Sequence, residues 1–292
     1  MANIITLKPR GRDLGGGFSV RRLLPAAERQ GVGPFLFFDH FGPMDVSPED
    51  RQDVRPHPHI GLATVTYLFE GAIMHRDSVG SVQRIEPGAI NWMTAGKGVV
   101  HSERTPPDLV GRPRRAHGLQ LWAALPRAHE DDHPSFTHTP AAALPAITVG
   151  DARIRVLIGR AFGAESPVAT LAETLYLDIE LPANTELSIP PVAPERGLYS
   201  VDRGFRVEGS AFAPQTMAVL GTGATVRVAS DAPARLMLVG GEPLDAHRFI
   251  WWNFVSSRRE RIADAAGLWD RQQMPRIAGE TEWIPLPEQR FK

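Results

Sequence analysis

The chain has 292 residues, 42% of them hydrophobic, enough for two ordinary domains with sizeable cores and too long for one small barrel. Its 32 Lys and Arg against 33 Asp and Glu leave a formal charge of −1, so no global field draws it to nucleic acid or to an acidic membrane, and direct nucleic-acid binding is not expected. There is no cysteine, which excludes disulfides, thiolate ligands and a cysteine nucleophile; any metal site must be made of histidine and carboxylate.

Residues 1–9 lack the apolar core and cleavage pattern of a secretory signal, and no run reaches membrane-span length, so the cytoplasm is the expected location. Residues 4–7 predict a short strand, and Gly15-Gly16-Gly17 a hairpin turn before a strand over residues 18–24. A phosphate loop is disfavoured there, because the Walker Lys-Ser/Thr and a G-x-G-x-x-G leading into a helix are both missing. Residues 34–41 are the most aromatic segment. Alternation from Phe35 through Phe37 predicts core packing, the alternative being a wall beside a site; Asp39 and His40 fall where that strand should end, outside any ligand set.

The chemistry concentrates between Arg55 and Thr105, framed by His57-Pro58-His59 and His101-Ser102-Glu103. In a strand, residues i and i+2 share a face, so His57 and His59 point the same way, as do His101 and Glu103. If the two strands are neighbours with those faces inward, three imidazoles and one carboxylate converge on a mononuclear site for a first-row transition metal. A lone H-x-H in a strand is more often surface or packing, and such pairs arise by chance in a chain with ten histidines. The H-x-E following Gly96-Lys97-Gly98 is what favours the metal.

Between the pairs, residues 64–69 are strand formers, punctuated by Glu70-Gly71, Gly80, Pro87-Gly88 and Gly96-Lys97-Gly98, the pattern of short antiparallel strands in a small barrel. His75, in the hairpin between Gly71 and Gly80, reads as a neighbour of the ligands or a surface residue rather than a ligand. Trp92 and Met93 read as core. Arg112, Arg114 and Arg115, beside three prolines and without interleaved aromatics, read as a solvated loop.

Residues 117–125 predict the last strand of the first barrel, with Gln120 facing the cavity. The change to His, Asp, Pro and Ala after Pro126 predicts a linker, giving a first domain over 1–128 with the metal site, a linker over 129–146 and a second domain over 147–292. Strands are expected at 152–158, 174–181, 196–201, 204–207, 216–220 and 225–228. The Gly221-Thr222-Gly223 turn parallels Gly96-Lys97-Gly98 and points to a duplicated barrel. Only His247 follows His138, so the second domain lacks the ligands for a site of its own. Finally, Ser257-Arg258-Arg259-Glu260 reads as a capping box, and Ile262, Ala265, Ala266 and Trp269 lie on one helical face. They predict an amphipathic helix packed across the barrels, with Trp251, Trp252 and Phe254 leading in. The fold class read from the residues is all-β, two tandem β-barrels with a C-terminal α-helix.

Pro56-His57-Pro58-His59-Ile60-Gly61, Thr64-Val65-Thr66-Tyr67, residues 92–103 and His117-Gly118-Leu119-Gln120-Leu121-Trp122 together resemble the pirin family of the cupin superfamily. The resemblance extends through residues 34–39, 218–221 and 241–244, nearly the whole chain. It implies two tandem cupin (jelly-roll-like) β-barrels, the N-terminal one holding a single divalent metal through His57, His59, His101 and Glu103. That metal is usually iron; nickel, manganese, cobalt, copper and zinc accept the same ligands. Cupins at large carry a Glu a few residues after H-x-H, where this chain has Ala63 and Thr64, so Glu103 is the one carboxylate of the set.

Two functions follow from the resemblance. One is a dioxygenase that opens a flavonol such as quercetin with O2, a small aromatic substrate, with Glu103 as ligand and catalytic proton acceptor. The other is a metal-dependent regulatory protein that modulates a transcription regulator or a metabolic enzyme through a protein partner.

Overall fold

Short runs of β-branched and aromatic residues separated by Gly and Pro become strands along most of the chain, as in Leu62–Glu70, where Thr64-Val65-Thr66-Tyr67 sits at the centre. The computed structural model describes residues 4–13 and 19–291, and within these one α-helix, Arg259–Asp270, follows the strands. The turn expected at Gly15-Gly16-Gly17 lies outside the described residues. No helix among them is long and apolar enough to cross a membrane.

The chain forms two units. The first, the histidine unit, comprises Arg12–Val20, His40–His138 and Asp245–Lys292; the second comprises Met1–Gly11, Arg21–Asp39 and Thr139–Leu244. All ten histidines fall in the first. The units therefore do not follow the linear division at 128 and 147. Ile5–Leu7 pairs antiparallel with Met217–Leu220, with Leu7 fully buried, so the earliest described strand completes a sheet of the second unit. The C-terminal stretch returns to the histidine unit, where Phe254 bridges to Ile60. Residues 129–146 are not a bare linker either. Ser135–Thr139 is the edge strand of a sheet that continues through Ile90–Thr94, Leu62–Glu70 and Arg114–Ala124.

In the second unit a seven-stranded sheet runs in the order Ile5–Leu7, Met217–Leu220, Glu195–Ser200, Ala234–Gly241, Thr174–Leu181, Ala152–Ile158, Ala146–Val149. A four-stranded sheet orders Thr185–Ile189, Val226–Ser230, Phe205–Val207, Ser210–Phe212. Leu177, Ile179, Leu236 and Leu238 of the one pack with Leu187, Val207 and Val228 of the other, so the expected barrel is a jelly-roll-like sandwich with its core between the sheets.

The aromatic strand is longer than its sequence indicates, running Phe35–Val46 through Asp39 and His40 instead of ending there. Phe35 and Phe38 pack on Tyr176 and Tyr199, and Arg22 lies over Phe37 while its guanidinium holds Asp39 at 2.7 Å. These rings are core of the second unit. His40 belongs to the histidine unit and contacts His117, Nε2 to Nε2, at 2.8 Å.

The helix buries Ile262, Ala265 and Trp269 as its spacing predicts, while Ala266 is partly exposed. Within the histidine unit it packs against Ile60, Val100, Phe254, Met274 and Ile277. Its N-cap is Arg258, with no side-chain cap, because the Ser257 hydroxyl and amide both donate to the buried carboxylate of Glu130 instead.

Candidate metal centre

The strand Val99–Arg104 lies between Val54–His59 and Ile73–Asp77 in a four-stranded sheet that ends in Val82–Ile85. Both neighbours are antiparallel. On one side His101 opposes His57 and Val99 opposes His59; on the other His101 opposes Asp77 and Glu103 opposes His75. Directly opposed residues share a face of the sheet. The ladder thus puts His57, His59, His101, Glu103, His75 and Asp77 on one side, as the i, i+2 spacing requires.

Ile60 and Val100 alternate to the other side, where they join the apolar cluster around Ile262 and Trp269. Gly61, at φ +67°, makes the turn between Val54–His59 and Leu62–Glu70. A Cβ there would sit 2.0 Å from the Val255 carbonyl oxygen, so only glycine lets Phe254–Ser256 lie alongside. The C-terminal stretch also straps the histidine-bearing strands: the Ile284 amide donates to the Pro56 carbonyl at 2.8 Å, Ser102 Oγ to Glu280 at 2.8 Å, and Arg104 pairs with Glu280 at 2.5 Å.

His57, His59 and His101, all buried, bring one ring nitrogen each to within 4.8 Å of one another. His57 Nδ1 lies 2.9 Å from the Arg55 carbonyl oxygen and His59 Nδ1 lies 3.0 Å from that of Asn253. A carbonyl only accepts, so both Nδ1 atoms carry hydrogen and both Nε2 atoms present lone pairs. Burial pushes the His57 imidazole down to about 4 against a smaller opposing pull from the Arg55 carbonyl, and drives His59 and His101 well below their ordinary value, helped by their mutual proximity. Neutral imidazole is the form that ligates metal.

The donor set fits an ion. His59 Nε2 and His101 Nε2 are 3.1 Å apart. Two nitrogens at right angles about an ion, each at about 2.1 Å, lie roughly 3 Å apart. A proton can bridge two nitrogens but not three, and His57, its ring 4.3 Å from that of His101, supplies the third.

Glu103 is not part of this compact group. The pairing with Val54–His59 shifts register between His101 and Glu103, while the pairing with Ile73–Asp77 does not, so Glu103 stays on the inner face opposite His75. Burial raises its carboxyl above the ordinary value, a cost offset in part by a hydrogen bond with the Thr66 hydroxyl. Thr66 also lies 2.8 Å from the Gln120 side-chain amide, so Gln120 does face inward. His75 is buried, 2.8 Å from Asp77, and its ring stacks on Phe136 at 4.3 Å. The Trp122 ring stands edge-on to His59 at 5.1 Å.

Several of these partners escape sequence reasoning. The Asn253 carbonyl is backbone, on a hairpin 194 residues from the histidine it orients, and leaves no mark in the sequence. Asp77 does leave one: His75-Arg76-Asp77 is a third x-separated pair of the kind that marked the candidate ligands.

Two tandem jelly-roll-like units, one carrying a buried three-histidine group, make the molecule a bicupin with a candidate mononuclear metal centre. Residues 17–123 match the family described as Pirin, and residues 176–275 match its C-terminal cupin domain. The chain belongs to the pirin family. A Pirin-like protein of Caulobacter vibrioides is 44% identical over 284 residues, 96% of this chain and 97% of its own. Pirin of Rattus norvegicus is 33% identical over 269 residues, 89% of each chain. Among solved structures, quercetin 2,3-dioxygenase from Acinetobacter baumannii is similar with a TM-score of 0.90 and 32% identity, over 98% of this chain and 97% of that one.

Proposed function

We propose that the protein is a metal-dependent dioxygenase that opens a flavonol of the quercetin type with O2, using one metal held by His57, His59, His101 and Glu103. The observation that carries this reading is the convergence of three neutral, buried imidazoles in a chain similar throughout its length to quercetin 2,3-dioxygenase from Acinetobacter baumannii. A divalent transition metal, iron by family resemblance, supplies Lewis acidity and redox access to O2 there.

The protein's own groups do the rest. His57 and His59 are oriented by the Arg55 and Asn253 carbonyls, so no rotation is needed to present their lone pairs. Glu103 completes the set, and its raised basicity suits it to take the proton of the flavonol 3-hydroxyl as the substrate binds. Trp122 and Phe136 pack on the imidazoles and hold water away from them.

The test is O2 uptake with quercetin, comparing metal-free protein with protein reconstituted with iron, nickel, manganese, cobalt, copper or zinc. Turnover in at least one metal form and none in metal-free protein is the expected result. Absence of turnover in every form overturns the enzyme reading and leaves metal-dependent regulation of a protein partner in its place.

A further inference from the structure

We infer that His75 and Asp77 are positioning residues for His101, a carboxylate–imidazole–imidazole chain that fixes which His101 nitrogen faces the metal and strengthens it as a donor. The inference rests on the metal reading of the three-histidine group.

It begins at Asp77, which is buried and fully engaged. Its Oδ1 accepts the amide hydrogens of Val79 and Ser81, each at 2.9 Å, and its Oδ2 lies 2.8 Å from His75 Nε2. With two backbone donors fixing one oxygen, the other is left to accept, so His75 carries its hydrogen on Nε2. His75 Nδ1 is then a lone pair, and it faces His101 Nδ1 at 3.5 Å. That contact is long, but it has one sensible polarity: His101 donates from Nδ1 and turns a bare Nε2 to the site.

Backbone register enforces the chain. Asp77 sits opposite His101 and His75 opposite Glu103 with no slip between them, and stacking on Phe136, 15° from parallel, sets the plane of the His75 ring. Both His75 nitrogens are therefore committed away from the point where His57, His59 and His101 meet, which explains a buried fourth histidine beside the group that does not join it. The three ligands are also unequal. Those on the Val54–His59 strand lean on neutral carbonyls, whereas His101 leans on an imidazole backed by a carboxylate, the stronger electron push.

Cobalt(II) binding to the full chain, measured by chelator competition and by the visible absorption of the bound ion, tests this. His75→Phe keeps the ring stack but cannot accept a hydrogen bond. Asp77→Asn keeps the turn, since its oxygen can still accept from Val79 and Ser81. It also presents an amide donor to His75, forcing the His75 hydrogen onto Nδ1 against that of His101. Both variants should lose about 10- to 100-fold in cobalt affinity with a shifted absorption band, the usual cost of losing such an outer partner. His75→Gln, whose amide oxygen can accept from His101, should recover most of the loss.

If His75→Phe fails to fold, Asp77→Asn decides. Folded variants with the parent's affinity and spectrum overturn the inference. Failure of the parent chain to bind cobalt at all would sink the metal reading itself, a different outcome.

Discussion

Glu130→Gln should destabilise the protein by about 3 kcal/mol although it changes one atom. Glu130 and Arg248 are both fully buried in the histidine unit, with Arg248 Nε 3.0 Å from Glu130 Oε1. Removing one charge of a buried pair costs about 3–5 kcal/mol, because the partner is left without compensation. Arg248 keeps Asp245 at 2.5 Å and the carbonyls of Leu125 at 2.7 Å and Ala246 at 2.8 Å, which places the cost at the low end.

The glutamine can hold its oxygen toward the Ser257 amide and its nitrogen toward the hydroxyls of Ser256 and Ser257, which accept as well as donate, so charge is the main loss. At about 2–4 °C per kcal/mol for a chain of this size, thermal unfolding followed by circular dichroism should shift down by about 6–12 °C. A shift below about 2 °C in the variant would refute the reasoning. The same substitution reaches the candidate metal centre indirectly. Ser256 ends the hairpin Phe249–Trp251 to Phe254–Ser256, and its Asn253 turn orients His59.

Other expectations concern the helix and pH. Ile262→Ala should cost about 2–5 kcal/mol, and truncation before Ser257 more, because the helix covers Ile60 and Val100 directly behind His59 and His101; unchanged denaturant midpoints would mean the helix is a free tail. Metal-free protein should lose stability as pH falls below 6.5. The unfolded chain then takes up protons that buried His57, held down to about 4, refuses, a penalty that grows to about 3 kcal/mol by pH 4 and is absent above the ordinary histidine range. His59 and His101 act with the same sign, and Glu103, raised by burial, acts oppositely by favouring the folded state at low pH. Urea titrations at pH 7 and 5 should therefore show a smaller pH effect in His57→Phe than in the parent; equal slopes would contradict this.

What the sequence shows of this molecule is what alternation and turn chemistry encode. Ala152–Ile158 and Thr174–Leu181 have the bounds their patterns predict, and the period-2 pairs bring His57, His59 and His101 together once their strands pair. What it hides is long-range. Three residues at Ile5–Leu7 name no partner, so nothing local reveals that they close a sheet with Met217–Leu220. Ser257 fits a capping pattern, yet a buried carboxylate in the presumed linker competes for it and wins, because an uncompensated Glu130 would cost more than an uncapped helix end. Asp39 and His40 read as a strand end in the sequence because they are polar. They continue the strand because Arg22 and His117 satisfy them inside.

The most direct test of the metal centre is elemental analysis after exhaustive dialysis, on the parent chain and on His59→Ala, His101→Ala and Glu103→Ala. All ten histidines lie in one unit, so the account predicts a single equivalent of transition metal per parent chain. It predicts loss of that equivalent from each variant, with the fold retained by circular dichroism. Two tightly held equivalents in the parent, or a full equivalent surviving in His59→Ala and His101→Ala, would contradict it.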